Sequence, residues 1–362
     1  MSVRFIHNII GSEKVDIYLD NKAIALNLER YQQTGYLSFS PGNYKLTIKV
    51  SENHTIIATK HIELCKSSLY TFLLLGNTND LKTISLNQYT DNNKCPNPGE
   101  FNIRFIHGIY LADAVDVYLN NNKIFTNIKY SQTSTYKSIN LDTINKMSLY
   151  YELSVVLTGT KIPIFPPQKQ YYVNGAIYTI VAASLTDPFL ILLHDNQNNC
   201  ETLQENFDTQ AYMGKWFQIA DIPQVYESGC PRASAEYTLL NDRVSVFNTC
   251  YNEKWEVSRT ITGYAKALNP CIPSALKVVF PETEIFVPQY PGPNYLIHKT
   301  NYKSYAIVGS PTRTSFYILS RTPKITQSKY NKFLKYAKTL GYNPELIKPN
   351  YHTIIPNPTH CN

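Results

Sequence analysis

Residues 3–21 return at residues 103–121, offset by 100 positions, and no other feature of the chain constrains its fold as strongly. The first copy reads Val3-Arg4-Phe5-Ile6-His7, then Val15-Asp16-Ile17-Tyr18-Leu19; the second reads Ile103-Arg104-Phe105-Ile106-His107, then Val115-Asp116-Val117-Tyr118-Leu119. Further on, Tyr31-Gln32-Gln33-Thr34 is echoed by Tyr130-Ser131-Gln132-Thr133, and Tyr70-Thr71 by Tyr178-Thr179. A unit of about 95 residues is therefore built twice. Inside each unit apolar and polar residues alternate over short runs, as in Tyr44-Lys45-Leu46-Thr47-Ile48-Lys49-Val50, and clusters of Asn, Asp and Gly separate the runs. That period is a strand period, and strands of this length and spacing predict a β-sandwich.

The stretch Asp91-Asn92-Asn93-Lys94-Cys95-Pro96-Asn97-Pro98-Gly99 joins the copies, and Asp195-Asn196-Gln197-Asn198-Asn199 joins the second copy to the C-terminal remainder of the chain. The expected units are residues 1–98, 99–198 and 199–362, in keeping with a 362-residue chain too long for one core. The composition suits an all-β chain: 29 Tyr, 15 Phe and 2 Trp against only 14 Gly and 3 Met.

The formal net charge of +7 is scattered rather than gathered into a stripe, which disfavours a nucleic-acid partner. No run reaches the roughly 18 apolar residues of a membrane span, and Met1-Ser2-Val3-Arg4-Phe5-Ile6-His7 reads as a strand rather than a signal peptide. Seven Cys (65, 95, 200, 230, 250, 271 and 361) contain no C-x-x-C pair, so no metal site is expected and disulfides or buried thiols remain. The odd count leaves at least one Cys without an intramolecular partner.

His7 and His107 recur at one position of both copies, yet neither has a second His, Cys or carboxylate at ligand spacing, so both are read as half-buried structural residues. Asp16 and Asp116 are expected to meet Arg4 or Arg104 as buried pairs. Asn53-His54-Thr55 fits a glycosylation acceptor, a triplet that also arises by chance. The pattern Arg-Phe-Ile-His, a short loop, then Val-Asp-x-Tyr-Leu resembles the DUF4397 family, an uncharacterised β-sandwich module of surface-exposed bacterial proteins, over most of residues 3–195.

Beyond Cys200 the pattern changes. Tyr212-Met213-Gly214-Lys215-Trp216-Phe217-Gln218-Ile219-Ala220 opens a first strand, Ile318-Leu319-Ser320-Arg321-Thr322-Pro323 closes the last long one, and a helix comes after it. Between them stand Glu227-Ser228-Gly229-Cys230, Ala235-Glu236-Tyr237-Thr238-Leu239, Gly263-Tyr264-Ala265, Ala275-Leu276-Lys277-Val278 and Tyr305-Ala306-Ile307-Val308-Gly309. Together these resemble a lipocalin over residues 203–350, most similar to the bacterial outer-membrane lipocalins and apolipoprotein D. One departure stands out: Thr300-Asn301-Tyr302 replaces the family's Thr-Asp-Tyr, so an amide takes the place of a turn-anchoring carboxylate and the turn is expected to be looser.

The resemblance implies an eight-stranded antiparallel barrel with room for one small ligand. It places Gly214 and Trp216 at the closed end, with the Arg321 guanidinium stacked on the indole, a contact worth roughly 0.5–2 kcal/mol. Strand parity and the resemblance together send Tyr237, Leu239, Val246, Asn248, Leu276, Val278, Phe280, Tyr317 and Leu319 into the cavity. An apolar lining with a few polar atoms selects a long hydrophobic body, at about 0.8 kcal/mol per buried methylene, with a head that can meet Tyr hydroxyls or an amide. Fatty acids, lysophospholipids and similar lipophiles fit; the same side chains could instead fill a small barrel. After the barrel, Thr326 caps a helix whose Tyr330, Phe333, Leu334, Ala337 and Leu340 form one stripe, with Gly341 at its stop.

The resemblance also pairs Cys230 with Cys361, while Cys200 lacks its usual family partner near Ser310 and Cys271 competes for Cys230. His298, His352 and His360 show no Ser-His-Asp or Cys-His arrangement, so no catalytic residue, cofactor or enzymatic activity is expected. The expectation is a carrier of a small lipophile whose sandwiches attach it to a surface or virion protein partner. The alternative is an adhesive or structural surface protein without a ligand. A composition rich in Asn, Ile, Lys and Tyr, together with this pairing of modules, resembles a particle protein of a large amoeba-infecting DNA virus, which places it on a virion or extracellular surface.

Overall fold

The computed structural model describes residues 1–92, 94–141, 150–186, 189–195, 200–224, 227–241, 243–281 and 292–356. The first copy has eight strands: β1 Ser2–Ile10, β2 Lys14–Leu19, β3 Lys22–Glu29, β4 Leu37–Ser38, β5 Gly42–Val50, β6 Ile56–Leu64, β7 Leu69–Asn77 and β8 Asp80–Asp91. They form two sheets, β4-β1-β7-β8 and β3-β2-β5-β6, around a core that includes Phe5, Ile17, Ile48 and Phe72.

The second copy has β9 Glu100–His107, β10 Val115–Leu119, β11 Asn122–Ile128, β12 Lys137–Asn140, β13 Tyr151–Leu157, β14 Gln168–Gln170, β15 Ile177–Ala182 and β16 Leu190–His194. Its sheets are β12-β9-β15-β16 and β11-β10-β13-β14, the same order strand for strand. Each copy has one parallel pair, β1 with β7 and β9 with β15, among otherwise antiparallel neighbours. These central strands are buried on both faces, because their outer faces meet one another. Ile6, Leu73 and Leu75 of one copy pack with Ile106, Val181 and Leu193 of the other.

Arg4 and Arg104 lie in that junction, and their partners differ from expectation. Arg4 donates to Thr71 of its own copy at 2.8 Å and to the His194 carbonyl at 3.0 Å, and pairs with Asp195 of the other copy. Arg104 mirrors it, donating to Thr179 at 2.7 Å and to the Thr90 carbonyl at 2.9 Å, and pairing with Asp91. Tyr36 donates to Asp91 and lies under Arg4; Tyr136 donates to Asp195 and lies under Arg104, each ring 4.7 Å from its guanidinium carbon. The ion pairs are thus exchanged between the copies. Asp16 and Asp116 meet neither arginine: each accepts the backbone N–H eleven residues on, at Asn27 and Asn127, and Asp116 also takes Lys123 at 2.6 Å. A strand aspartate beside a bulge has a nearer donor in its own hairpin than any guanidinium on the opposite sheet.

His7 and His107 are buried, with both ring nitrogens engaged by backbone. Each Nδ1 accepts an N–H two residues on, from Ile9 and Ile109, and each Nε2 sits 2.9 Å from a carbonyl, of Ser12 and Asp113. Burial therefore lowers both pKa values, that of His7 to about 4.

The remaining strands are β17 Gly214–Asp221, β18 Arg232–Leu239, β19 Val244–Tyr251, β20 Val257–Ala267, β21 Ala275–Val279, β22 Tyr295–Thr300, β23 Tyr305–Gly309, β24 Phe316–Ser320, β25 Ile325–Thr326, β26 Lys348–Pro349 and β27 Ile354–Ile355. From β17 to β24 each strand pairs antiparallel with the next, and β17 pairs with both β18 and β24, so the eight form a closed ring. The helix Gln327–Thr339 is capped by Thr326, whose hydroxyl accepts from Lys329. Its Tyr330 and Ala337, with Leu340 just beyond, pack on Ile219, Ile307 and Ile318 of the outer wall. Gly341 ends it at φ +83°, where a Cβ would meet the backbone of Gly99.

The second copy grips the barrel at that point. Cys95 and Cys200 form a disulfide with Cα atoms 5.7 Å apart, and the Asn174 backbone N–H donates to the Pro311 carbonyl at 2.8 Å. Arg313, buried, pairs with Glu201 at 2.7 Å and donates to the Leu340 carbonyl at 2.9 Å. The second disulfide joins Cys230 to Cys250, not to Cys361; the start of β18 and the end of β19 are adjacent, with Cα atoms 5.5 Å apart, and Cys361 lies outside the described residues. Cys65 and Cys271 are exposed thiols.

Removing one carboxylate of the exchanged pairs strands a buried guanidinium, so Asp91→Ala is expected to cost about 3–5 kcal/mol in chemical denaturation, with Asp91→Leu/Arg104→Met recovering part of it. In the window between the ordinary histidine pKa of 6.5 and the folded value of about 4, the unfolded chain binds more protons at His7 than the native one. Stability therefore falls as pH drops through that window, by up to about 1.4 kcal/mol per pH unit for such an imidazole, and His7→Gln flattens the slope of denaturation midpoint against pH.

Candidate functional site

The barrel is closed at the end where β17 begins. Asp208 caps the short helix Thr209–Tyr212, which lies across that end and delivers the chain into Gly214 at φ +89°. Trp216 is fully buried and donates from Nε1 to the Tyr212 carbonyl at 2.8 Å. Arg321 reaches in from the end of β24 with its guanidinium carbon 3.7 Å from the indole centroid. It donates to the carbonyls of Tyr302 at 3.0 Å, Lys215 at 2.8 Å and Met213 at 2.8 Å, with longer contacts to those of Tyr212 and Ala211. Asn301 holds the neighbouring turn firmly rather than loosely, because its amide oxygen accepts from both Ser304 and Tyr305 at 2.9 and 3.1 Å.

Above this floor three tyrosine hydroxyls form a chain: Tyr212 to Tyr295 at 2.9 Å, and Tyr295 to Tyr237 at 2.8 Å. Burial raises all three pKa values, that of Tyr237 to about 12, so they remain neutral donors and acceptors. Around them Val246, Leu276 and Leu319 are buried, and Val278, Phe280 and Tyr317 are partly buried, in one apolar cluster with Ile297, Ala306 and Val308. Leu239 stands apart: Tyr237 lies opposite Gly214 in the last pairing of β18 with β17, so Leu239 overhangs the floor and is 43% exposed. Parity alone sends it inward, and it still pairs with Val244 of β19, but β17 has no residue beside it to cover it.

The opposite end of the inner wall is polar. Asn248 lies between Ala235 and Ile261 in register, and its Oδ1 is buried without a hydrogen-bond partner. Strand β17 carries an irregularity between Gln218 and Ala220, so that Gln218 faces Leu319 and Asp221 faces Tyr317. Glu227 comes from the segment after β17, which Cys230 pins to Cys250. The Gln218 amide is hydrogen-bonded to both carboxyls. Burial raises Asp221 to about 6; burial, then the neighbouring Asp221 charge, raises Glu227 to about 8. Sequence reasoning missed Tyr212, Tyr295, Gln218, Asp221 and Glu227. The bulge that turns Asp221 inward has no signature in the alternation, and Tyr212 precedes the strand on which parity operates.

His298 lies outside this interior, with Nδ1 2.6 Å from the Thr202 carbonyl and Nε2 2.9 Å from the Tyr342 hydroxyl. Among the described residues no group of three or more His, Cys, Asp or Glu is placed to hold a metal ion.

Residues 207–351 match the Lipocalin-like domain family, and residues 1–112 and 101–204 each match DUF4397, a domain of unknown function. Outer membrane lipoprotein Blc of Vibrio cholerae is 32% identical over 165 residues, covering 43% of this chain and 92% of that protein. Apolipoprotein D of Mus musculus is 35% identical over 150 residues, 41% of this chain and 73% of its own. A putative lipocalin of Acanthamoeba polyphaga mimivirus is 33% identical over 156 residues, 39% and 82% respectively. With a closed ring floored by Trp216 and Arg321 and relatives matched over most of their length, the chain belongs to the lipocalin family, its barrel coming after two DUF4397 repeats.

Proposed function

We propose that the barrel binds a small, elongated hydrophobic molecule, tail inward, and that the two sandwiches attach the protein to a surface partner. One observation carries the reading: a ring of eight strands is stoppered at one end by the Trp216–Arg321 contact, lined in its depth by apolar side chains and three neutral tyrosine hydroxyls, and carries acidic side chains toward the other end. Such a gradient orients an amphiphile, each buried methylene contributing about 0.8 kcal/mol. Val246, Leu276, Val278, Phe280, Tyr317 and Leu319 would contact the tail, with the Tyr237 hydroxyl and the Asn248 amide as polar contacts. The residues taken as units are 1–98 and 99–198 for the sandwiches and 199–362 for the barrel.

Fatty acids, lysophospholipids and similar lipophiles are the ligand classes that fit. Lipocalins are typically ligand binders rather than enzymes, and binding rather than turnover is the role we infer. Two disulfides suit an oxidising extracellular or particle surface. The outer-membrane and mimivirus relatives support the same placement. The second reading, a barrel filled by its own side chains and used as a scaffold, draws on the four aromatic rings of Tyr212, Trp216, Tyr237 and Tyr295 packed above the floor.

Native mass spectrometry of the purified full chain is expected to show a co-purified lipophile released on denaturation; a chain that is empty and takes up no added lipid favours the scaffold. Arg321→Ala is expected to destabilise the barrel by about 2 kcal/mol or more in urea, since the cation–π contact and several charge-assisted carbonyl bonds go together. Tyr295→Phe removes the central hydroxyl of the tyrosine chain and should cost about 1–3 kcal/mol for the groups it leaves unpaired.

A further inference from the structure

We propose that the polar head of the bound lipophile is a protonated amine, received near the barrel rim by Asp221, Glu227 and Asn248. The inference rests on the reading of the barrel as a lipophile site and names the class of head it takes.

The placement comes from the backbone. An unbroken alternation along β17 would face Gln218 inward and turn Asp221 out; the irregularity at Ile219 brings Asp221 into register with the inward Tyr317. Asp221 is only 6% exposed there. Beyond it the chain folds back through a turn in which the Cys230 N–H donates to the Glu227 carbonyl at 3.1 Å, and the Cys230–Cys250 disulfide fastens that turn to the end of β19. Glu227 is thereby carried to the same Gln218 amide that Asp221 uses. Cys250 lies two residues after Asn248 on the same face of β19.

The chemistry is one-sided. Glu227 Oε2 and Asn248 Oδ1 have essentially no exposed area and no hydrogen-bond partner, and both are acceptors once Glu227 is ionised. One amide, that of Gln218, serves two carboxyls. Buried acceptors left without donors are costly, so a ligand that brings N–H groups gains what the apo site lacks. Once both acids are ionised, a carboxylate or phosphate head would add acceptors to acceptors and be repelled, so among the lipophiles that fit the barrel the acidic ones are disfavoured at this rim above about pH 8. An ammonium supplies up to three donors and the charge that two neighbouring carboxyls lack.

The groups facing the acids from the surrounding elements leave this balance in place. Arg259 on β20 is exposed at the rim, donates to the Ser228 carbonyl at 3.0 Å, and lowers the pKa of Glu227 less than burial and Asp221 raise it. Lys348 lies opposite Asp221 on β26 and donates to the Glu345 carbonyl at 2.7 Å. Tyr330 on the C-terminal helix donates to the Ile347 carbonyl at 3.2 Å, and Tyr317 faces Asp221 from β24. With Asp221 raised to about 6 and Glu227 to about 8, the empty site holds protons that an ammonium would displace. Amine affinity therefore rises with pH through that range, while the amine itself stays protonated until about pH 10.

The test uses the full chain loaded with a neutral fluorescent lipophile, N-phenyl-1-naphthylamine, and three competitors of equal tail length: dodecylamine, dodecanol and dodecanoate. The expected result is displacement by dodecylamine at a concentration about tenfold below that for dodecanoate, the worth of one charge-assisted contact. The advantage should grow from about pH 5.5 to about pH 8.5, and the amine-to-carboxylate ratio should fall to about one in Asp221→Asn/Glu227→Gln. Native-like circular dichroism of that variant keeps the comparison valid, and Glu227→Gln alone should give an intermediate ratio. Equal displacement by all three, a preference for dodecanoate, or an amine preference that survives the double substitution overturns the assignment while leaving lipophile binding intact. A chain that never binds the probe overturns the binding reading, and this inference with it.

Discussion

Five backbone carbonyls and one indole converge on the Arg321 guanidinium, and the barrel depends on that convergence. The carbonyls belong to the short helix before β17, to β17 itself and to the turn between β22 and β23, so one side chain satisfies the loose backbone ends of three segments at once. The strands of an antiparallel ring diverge into turns at its end, and the guanidinium ties the Thr209–Tyr212 helix that covers it to the sheet. Arg suits the position better than Lys: its planar fork spreads donors over several acceptors while its face stays flat on an aromatic ring. Gly214, at φ +89° beneath the guanidinium, supplies the sharp entry that brings Trp216 under it.

Much of this architecture is legible in the chain because it is local or periodic. The offset repeat gives two copies of one sheet order, the Gly-x-Trp and Ser-Arg-Thr-Pro segments give the ends of the ring, and the stripe from Tyr330 to Leu340 gives the helix that covers its wall. The features that escape such a reading depend on a third dimension. Arg4 meets Asp195 across 191 positions, whereas pairing within one copy is the nearer supposition. Cys230 finds Cys250 because two strands run side by side at that rim, a proximity that overrides the family pattern. Asp221 turns inward at an irregularity invisible to alternation, and Leu239 obeys the alternation but lies past the end of the enclosure.

The sandwiches and the barrel are joined by more than a linker. Glu201 and Arg313 form a buried pair at their junction, the Cys95–Cys200 disulfide lies near it, and Gly99 and Gly341 pass backbone to backbone with no room for a side chain. The loop between β23 and β24 is thereby held by the second copy through Pro311 and Asn174. A barrel with one of its loops braced against a neighbouring domain has less freedom to deform there.

The exchanged arginines bear on how such a chain can change over time. Each copy carries its own Thr, Tyr and Asp and its own arginine; each arginine bonds the Thr and lies on the Tyr of its own copy, yet pairs with the Asp of the other. A deletion of either copy would remove the ion-pair partner of both the Arg and the Asp of the survivor and bare the apolar face that holds Ile6, Leu73 and Leu75 or Ile106, Val181 and Leu193. Substitutions at the four charged positions are tolerable only in matched steps. The duplication, once made, is therefore difficult to undo: the twins are bound to be inherited together.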